Sequence, residues 1–424
     1  MTTPTAPTTG CPWCRSHAPL PALGADARVS AVVLHYEQPE ALARTLRCLG
    51  DQTVPLHEVV VADDGSSRPP AAEGLRVVTQ PDRGFRAARA RNLGLAEVTG
   101  DVVVMLDADT SPEPTYVEQV LAALQEAPDA LAVGRRRHAD LAGDLDVETA
   151  RRDAFPEPAW LEDGYARTDD LRVADDASFR YVLGAVLSCR TDLLHELGGF
   201  DATLVGYGGE DWELAHRWWT AGGSLRRVRE AVAWHDGPDA SQQERTWDPA
   251  AEDPRAAEAV AVADRVPTWP TAWRGLIGSA PRTVVTHDDD LPEAAVWSLA
   301  DSLLAAEPQA RVVTRPDLAA GVPADPRVVA RLAPGDAWSA TRHVHVSTPG
   351  AWAEVDGWRD LLGRPHGRTT WEQAGRRVVE VTDLRALRRS HRGLEPLQCG
   401  TRDLGVSPLR PAGASVAAWL GGWA

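Results

Sequence analysis

The chain has 424 residues, 43% of them apolar, and a net charge of −17, with arginine as its only fixed cation because lysine is absent. That length predicts roughly two or three domains, and no stretch approaches the roughly 20 uninterrupted apolar residues of a membrane-spanning helix. So acidic a chain excludes bulk electrostatic attraction to nucleic acid or an anionic membrane, and leaves an anionic ligand to be held locally by a metal, an arginine or a helix N-terminus.

Residues 1–27 read as a disordered leader. The start is rich in Thr and Pro and has neither a charged segment nor an apolar core, so it predicts no signal peptide and a cytoplasmic chain. Cys11 and Cys14 form a C-x-x-C there, with His17 close behind. That is half of a zinc site without a second half, and its Pro-rich flanks offer no strand and helix for a redox motif.

From residue 28 the pattern changes. An apolar run at 29–34 predicts a buried strand, and Pro39 suits the first turn of a helix carrying Leu42, Leu46 and Leu49 at helical spacing. Further strands are predicted at 58–62, 75–79 and 101–106, with a helix around 85–97 closed by Gly100. Strands interleaved with helices predict a parallel α/β sheet with helices on both faces. Ligands bind such sheets at the carboxyl ends of the strands. His35-Tyr36, Asp63-Asp64 and Asp107-Ala108-Asp109 each follow a strand.

After a strand at 130–134, the polar segment 135–180 predicts loops and helices over the site. A strand at 181–189 and a short helix at 191–197 follow. A helix beginning at Gly208-Gly209-Glu210-Asp211-Trp212-Glu213 stops at Gly222-Gly223, and a strand at 231–234 ends in His235. Residues 246–274 read as a linker after a first domain at 28–245. Strand, helix and strand at 284–286, 292–304 and 311–314, with strands at 328–332, 344–347 and 378–382, predict a second, smaller α/β unit over 275–395. Residues 396–424 read as a tail.

Alternate carboxylates leaving a strand, as at Asp107 and Asp109, can meet a hard divalent cation that also bridges substrate phosphates. An acidic strand-to-loop turn gives the same short pattern, so D-x-D alone assigns nothing. Glu210 and Asp211 sit where a helix dipole favours acids in any protein, and also where a general base could reach an acceptor. Trp212 offers a flat face for a sugar ring or an ordinary core contact. Arg86, Arg89 and Arg91 lie along one helix and suit phosphates or solvent equally.

In order, Val32-Val33-Leu34-His35-Tyr36, Val60-Val61-Ala62-Asp63-Asp64-Gly65-Ser66, Ala90-Arg91-Asn92-Leu93-Gly94 and Leu106-Asp107-Ala108-Asp109 resemble the inverting GT-A glycosyltransferases of family 2. Gly198-Gly199-Phe200-Asp201, the Gly208–Glu213 block and Trp234-His235 resemble the branch with a galactosyltransferase-type C-terminal half, shared by bacterial chondroitin-polymerase-like domains. The resemblance runs over about half the chain, and several blocks in the right order are far more specific than one. It implies a GT-A nucleotide-diphospho-sugar transferase fold and a UDP-sugar donor, with Mn²⁺ or Mg²⁺ held by Asp109 and His235. Tyr36, Asp63, Arg91, Asp107 and Asp109 would bind the donor. Asp211 would be the catalytic base, and Glu210, beside it in the catalytic pair, would position the acceptor; the flat face of Trp212 makes it the further candidate for acceptor contact. Leu34-His35-Tyr36-Glu37 stands where Pro-Thr-Tyr-Asn is more usual.

A nucleotidyltransferase would carry a Gly-rich basic loop after the first strand, which residues 35–39 do not provide. A non-catalytic sugar-nucleotide or glycan-binding module would have no need of the base. The acceptor, whether carbohydrate, peptide or small molecule, is unmarked in the sequence. The C-terminal unit is expected to recognise the acceptor or to form a homodimer.

Overall fold

A computed structural model describes residues 19–239 and 256–410, apart from 72–73, 207, 269, 274–275, 321–324, 334–335, 348–351, 354, 364–366, 374 and 404–408. Cys11, Cys14 and His17 lie outside the described residues, as do much of the expected linker and most of the expected tail. The chain divides into two compact units, one of Leu20–Trp219 with Gly223–Val262 and one made chiefly of Ala263–Ala424.

The first unit runs β1 (Val29–His35), α1 (Pro39–Gly50), β2 (Glu58–Asp63), β3 (Arg76–Thr79), α2 (Ala87–Leu95) and β4 (Val102–Asp107). Then come β5 (Thr110–Pro112), α3 (Tyr116–Glu126), β6 (Ala130–Ala139), α4 (Val147–Arg152), α5 (Ala159–Arg167), β7 (Val186–Arg190) and α6 (Thr191–Leu197). It closes with α7 (Glu210–Thr220) and β8 (Ser224–Asp236), and α8 (Ala256–Arg265) spans the division between the units. Pro39 opens α1 as its fixed φ favours, and Leu42 and Leu49 are buried.

The sheet order is β3-β2-β1-β4-β7-β6-β8-β5. It corrects the all-parallel expectation: β3, β2, β1 and β4 are parallel, but β7 runs antiparallel between β4 and β6, and β5 antiparallel beside β8. Apolar runs report burial on both faces, whereas strand direction is set by connections that periodicity does not encode. The strands β6 and β8 also extend well beyond their predicted spans, so part of the segment expected to be loops is sheet. Arg135, Arg136 and Arg137 pair across to Val232, Ala233 and Trp234 there, after an irregularity at Gly134. Alternating polar residues on a half-exposed strand lack the apolar run that marks a buried one.

Close approach explains one glycine of the motifs. A Cβ at Gly94 would come within 2.5 Å of Val32 Cγ1 and 3.2 Å of Ala62 Cβ, so α2 lies directly on β1 and β2.

The second unit comprises β9 (Thr283–His287), α9 (Glu293–Ala306), β10 (Ala310–Val313), α10 (Pro316–Ala319), β11 (Val328–Val329), α11 (Asp336–Ser339) and β12 (Arg342–Val346). It continues through β13 (Trp352–Ala353), α12 (Val355–Leu362), β14 (Arg368–Gln373), β15 (Arg376–Asp383), α13 (Leu384–His391), β16 (Cys399–Asp403) and β17 (Leu409–Arg410). Its sheet order is β11-β10-β9-β12-β15-β14-β16, and β13 pairs with β17. Val285, Leu299, Leu303, Val312, Val344, Trp358 and Val379 share one apolar core. Pro292 caps α9 rather than standing inside it. Among the described residues no helix is long and apolar enough to cross a membrane.

Candidate active site

The strand ends of the first unit surround a cleft of about 410 Å³, whose walls include Arg91, Asp107, Gly184, Glu210, Asp211 and Trp212. Arg91 organises it. This buried side chain of α2 donates from Nη2 to Asp107 Oδ1 and from Nη1 to Glu210 Oε1, both at 2.7 Å. Its guanidinium lies 5.4 Å from the Phe200 ring centroid. The two carboxylates hold the guanidinium charged, against the pull of burial. Arg91 therefore ties the end of β4 to the start of α7 through its two terminal nitrogens, while its Nε is buried without a hydrogen-bond partner.

Asp211 sits beside Glu210 in the first turn of α7. Its Oδ2 accepts from Gly184 N at 3.0 Å and its Oδ1 from its neighbour Trp212 N at 2.8 Å. Burial, reinforced by the charge of Glu210, pushes the Asp211 carboxyl up to about 7, with Arg91 opposing. A carboxylate poised near neutral pH in a cleft has the properties of a general base. Gly208 and Gly209 reach the helix with φ of 89° and 88°, a conformation that disfavours side chains. Trp212 lines the cleft and packs edge-on against Phe179, with ring centroids 6.2 Å apart.

Asp109 and His235 meet because β5 and β8 pair with Thr110 opposite His235. Asp109 Oδ2 is 3.6 Å from His235 Nε2, and the Asp236 amide donates to Asp109 O at 3.1 Å. The Nδ1 of His235 is buried with no hydrogen-bond partner. Beside it, 4.9 Å between ring centroids, burial and Arg136 push His138 down to about 4, so that ring is neutral at pH 7. One carboxylate and one imidazole suit an ion that takes its remaining ligands from a diphosphate and water. Among the described residues no three His, Cys, Asp or Glu side chains gather as a metal site.

Tyr36 and Asp63 stand apart from that cleft. Tyr36 is 46% exposed, and its hydroxyl donates to Asp82 Oδ2 at 3.4 Å. Asp63 is fully buried at the end of β2. Burial works to raise its carboxyl, but hydrogen bonds from Ser66, His35 and Thr79 outweigh that and hold it below the ordinary range. Its neighbour Asp64 accepts from the Arg86 amide at 2.7 Å and from the Gln80 side chain.

Sequence reasoning passed over several supports. Arg44 of α1, 4% exposed, donates to Asp236 Oδ2 at 2.8 Å and to Leu141 O at 3.1 Å. It thereby fixes the residue next to His235. An arginine breaking the apolar face of α1 was the available signal. Trp160 is 45% exposed on the cleft, and Gly184 supplies the amide that holds Asp211. Neither carries a local pattern. The motif blocks also join one another: Asn92 donates to Phe200 O at 2.8 Å and accepts from Phe200 N at 2.9 Å.

Comparison with known proteins fits this geometry. Residues 30–189 match the family described as glycosyl transferase family 2, and residues 175–234 match the N-terminal domain of galactosyltransferase. The chain carries a family 2 glycosyltransferase domain. The mixed sheet of this glycosyltransferase unit is the GT-A arrangement, and the C-terminal unit adds a second sheet. The chain is 28% identical over 245 residues to a hyaluronan synthase of Pasteurella multocida and, over the same length, to a chondroitin synthase of Escherichia coli. Each match covers 51% of this chain, but only 25% and 36% of those synthases. It is 32% identical over 235 residues to a validoxylamine A glucosyltransferase of Streptomyces hygroscopicus subsp. jinggangensis, covering 49% of this chain and 53% of that one. Among solved structures, GalNAc-T7 crystallised with UDP, GalNAc and Mn²⁺ is a loose likeness: 20% identity and a TM-score of 0.41, over 53% of this chain and 46% of that one.

Proposed function

We propose that the glycosyltransferase unit moves a hexose or N-acetylhexosamine from a UDP-sugar to an acceptor hydroxyl, with inversion and with a divalent cation. The observation that carries this reading is the cleft itself. Asp211, poised near neutral pH, is linked through Glu210 and Arg91 to the strand that ends in Asp107-Ala108-Asp109.

Asp109 and His235 would hold Mn²⁺ or Mg²⁺, which when bound neutralises charge developing on the departing diphosphate. Asp107, Tyr36 and Asp63 belong to the donor side in this reading, and Arg91 acts there by fixing Asp107. On the acceptor side, Trp212 and Glu210 orient the sugar or other hydroxylated group beside Asp211. Asp211 takes the hydroxyl proton as the acceptor oxygen bonds to the anomeric carbon. The bond from that carbon to the diphosphate oxygen breaks in the same step, and UDP leaves with the electron pair. A single displacement of this kind inverts the anomeric centre.

The test is a panel of UDP-sugars incubated with the full chain and Mn²⁺, with and without EDTA, following UDP release. Release from one donor that EDTA abolishes supports the reading and names the sugar. Failure to release or to bind UDP in the presence of metal overturns it.

A further inference from the structure

The two sheets have the same topology. In the first unit β1 pairs in parallel with β2 and β4, and β2 with β3; in the second, β9 pairs in parallel with β10 and β12, and β10 with β11. Then β7 runs antiparallel to both β4 and β6, as β15 does to both β12 and β14. The strand β8 pairs in parallel with β6 and, at its far end, antiparallel with β5. Its counterpart is divided: β16 pairs in parallel with β14, and β17 antiparallel with β13.

Helices follow the same strands. α1 and α9 come after the first strand, α3 and α12 before the sixth and its counterpart β14, and α6 and α13 directly after β7 and β15. Even the first strand ends alike. His35 contacts Asp63 across the strand pair at 2.9 Å, and His287 contacts Thr314 at 2.9 Å, each leading to a proline at the next helix.

This correspondence fixes which residues stand where the carboxylates of the first unit stand. Leu34, preceding His35, is opposite Asp107; Thr286, preceding His287, is opposite His345. His345 therefore takes the place of Asp107, Ser347 that of Asp109 and Thr314 that of Asp63. At the place of Asp107 the unit has an imidazole held by its own neighbours. Thr286 Oγ1 lies 2.8 Å from His343 Nε2 and 2.9 Å from His345 Nδ1, and His345 Nε2 is 3.1 Å from Asp288 Oδ1. Two further parts are missing. Residues 140–185, with α4 and α5, lie between β6 and β7, but β15 begins three residues after β14 ends. Nothing like α7 occurs between α13 and β16, so Glu210 and Asp211 have no counterparts.

We infer that the C-terminal unit is a second copy of the glycosyltransferase fold whose donor and metal site has been erased, leaving the chain with one donor site. Fold alone carries no activity, which lives in the residues set upon it. This inference rests on the donor role proposed for the first unit.

Calorimetry of the full chain with UDP and Mn²⁺ tests it. The expected result is one UDP per chain, with affinity falling at least tenfold in Asp109→Ala and changing less than twofold in His345→Ala, whose folding is checked by thermal melting. Two UDP per chain, with one of the two sites keeping its affinity in Asp109→Ala, overturns the silent copy while leaving the proposed function standing. Loss of UDP binding in a folded His345→Ala does the same. No UDP bound by the unsubstituted chain overturns the proposed function itself.

Discussion

Asp107 and Glu210, one at the end of β4 and the other opening α7, share a single guanidinium: Arg91 reaches each at 2.7 Å. The pairing joins the strand that leads into the expected metal ligand Asp109 to the helix bearing the expected base. Because Arg91 is buried, removing it leaves two carboxylates facing each other with no compensating charge.

Arg91→Ala should therefore destabilise the chain by about 3–5 kcal/mol, the usual cost of breaking a buried pair. Arg91→Lys keeps the charge but loses the planar fork. It should retain most of the stability and still lower kcat. Thermal melts read beside UDP release separate the two effects; an Arg91→Lys variant with unchanged kcat would deny the strut.

The pH dependence follows from Asp211. Its carboxyl is raised to about 7, so the ionised form that accepts a proton accumulates only as pH climbs through that value. Transfer should rise across about pH 6 to 8 with a single-proton slope, and Asp211→Asn should lose about 10²–10⁴-fold of the rate. A flat profile over that range would remove Asp211 from the role of base.

Which parts of this were readable in advance follows from the range of each interaction. The strands β1, β2 and β4 announced themselves through apolar runs, and the strand-end rule then placed Asp107 and Asp109 near one edge. The direction of β7 and the length of β6 and β8 were hidden, because direction depends on connections and the exposed halves of those strands carry Arg135, Arg136 and Arg137. The proximity of Asp109 to His235 came only from the resemblance in the motifs. Its physical cause is the short β5–β8 pairing, which no local pattern marks. Likewise the Arg91 motif was visible, but its partners came from β4 and α7, distant in sequence.

Close packing predicts a second stability effect. Gly94→Ala would drive a methyl into Val32 Cγ1 and Ala62 Cβ, and overpacking of this kind costs about 1–3 kcal/mol. Denaturant unfolding should show that loss, whereas Gly50→Ala, where an added Cβ meets nothing within 4 Å and φ is not positive, should cost almost nothing. Equal losses would contradict the tight seating of α2 on the sheet.

Arg44 should tune the metal without touching it. It fixes Asp236, whose amide and whose neighbour His235 both face Asp109. Supporting residues of this kind typically change metal affinity by about 10–100-fold. Arg44→Gln should weaken Mn²⁺ activation within that range, read from UDP release against Mn²⁺ concentration. An unchanged activation curve would separate Arg44 from the site.

The most direct test of inverting transfer at the Asp211 cleft is the configuration of the sugar first released. With an α-linked UDP-sugar that the chain accepts, proton NMR during early hydrolysis should show the β-anomer ahead of mutarotation, and Asp109→Ala should abolish the signal. The α-anomer appearing first would mean retention, and would contradict a single displacement at this site.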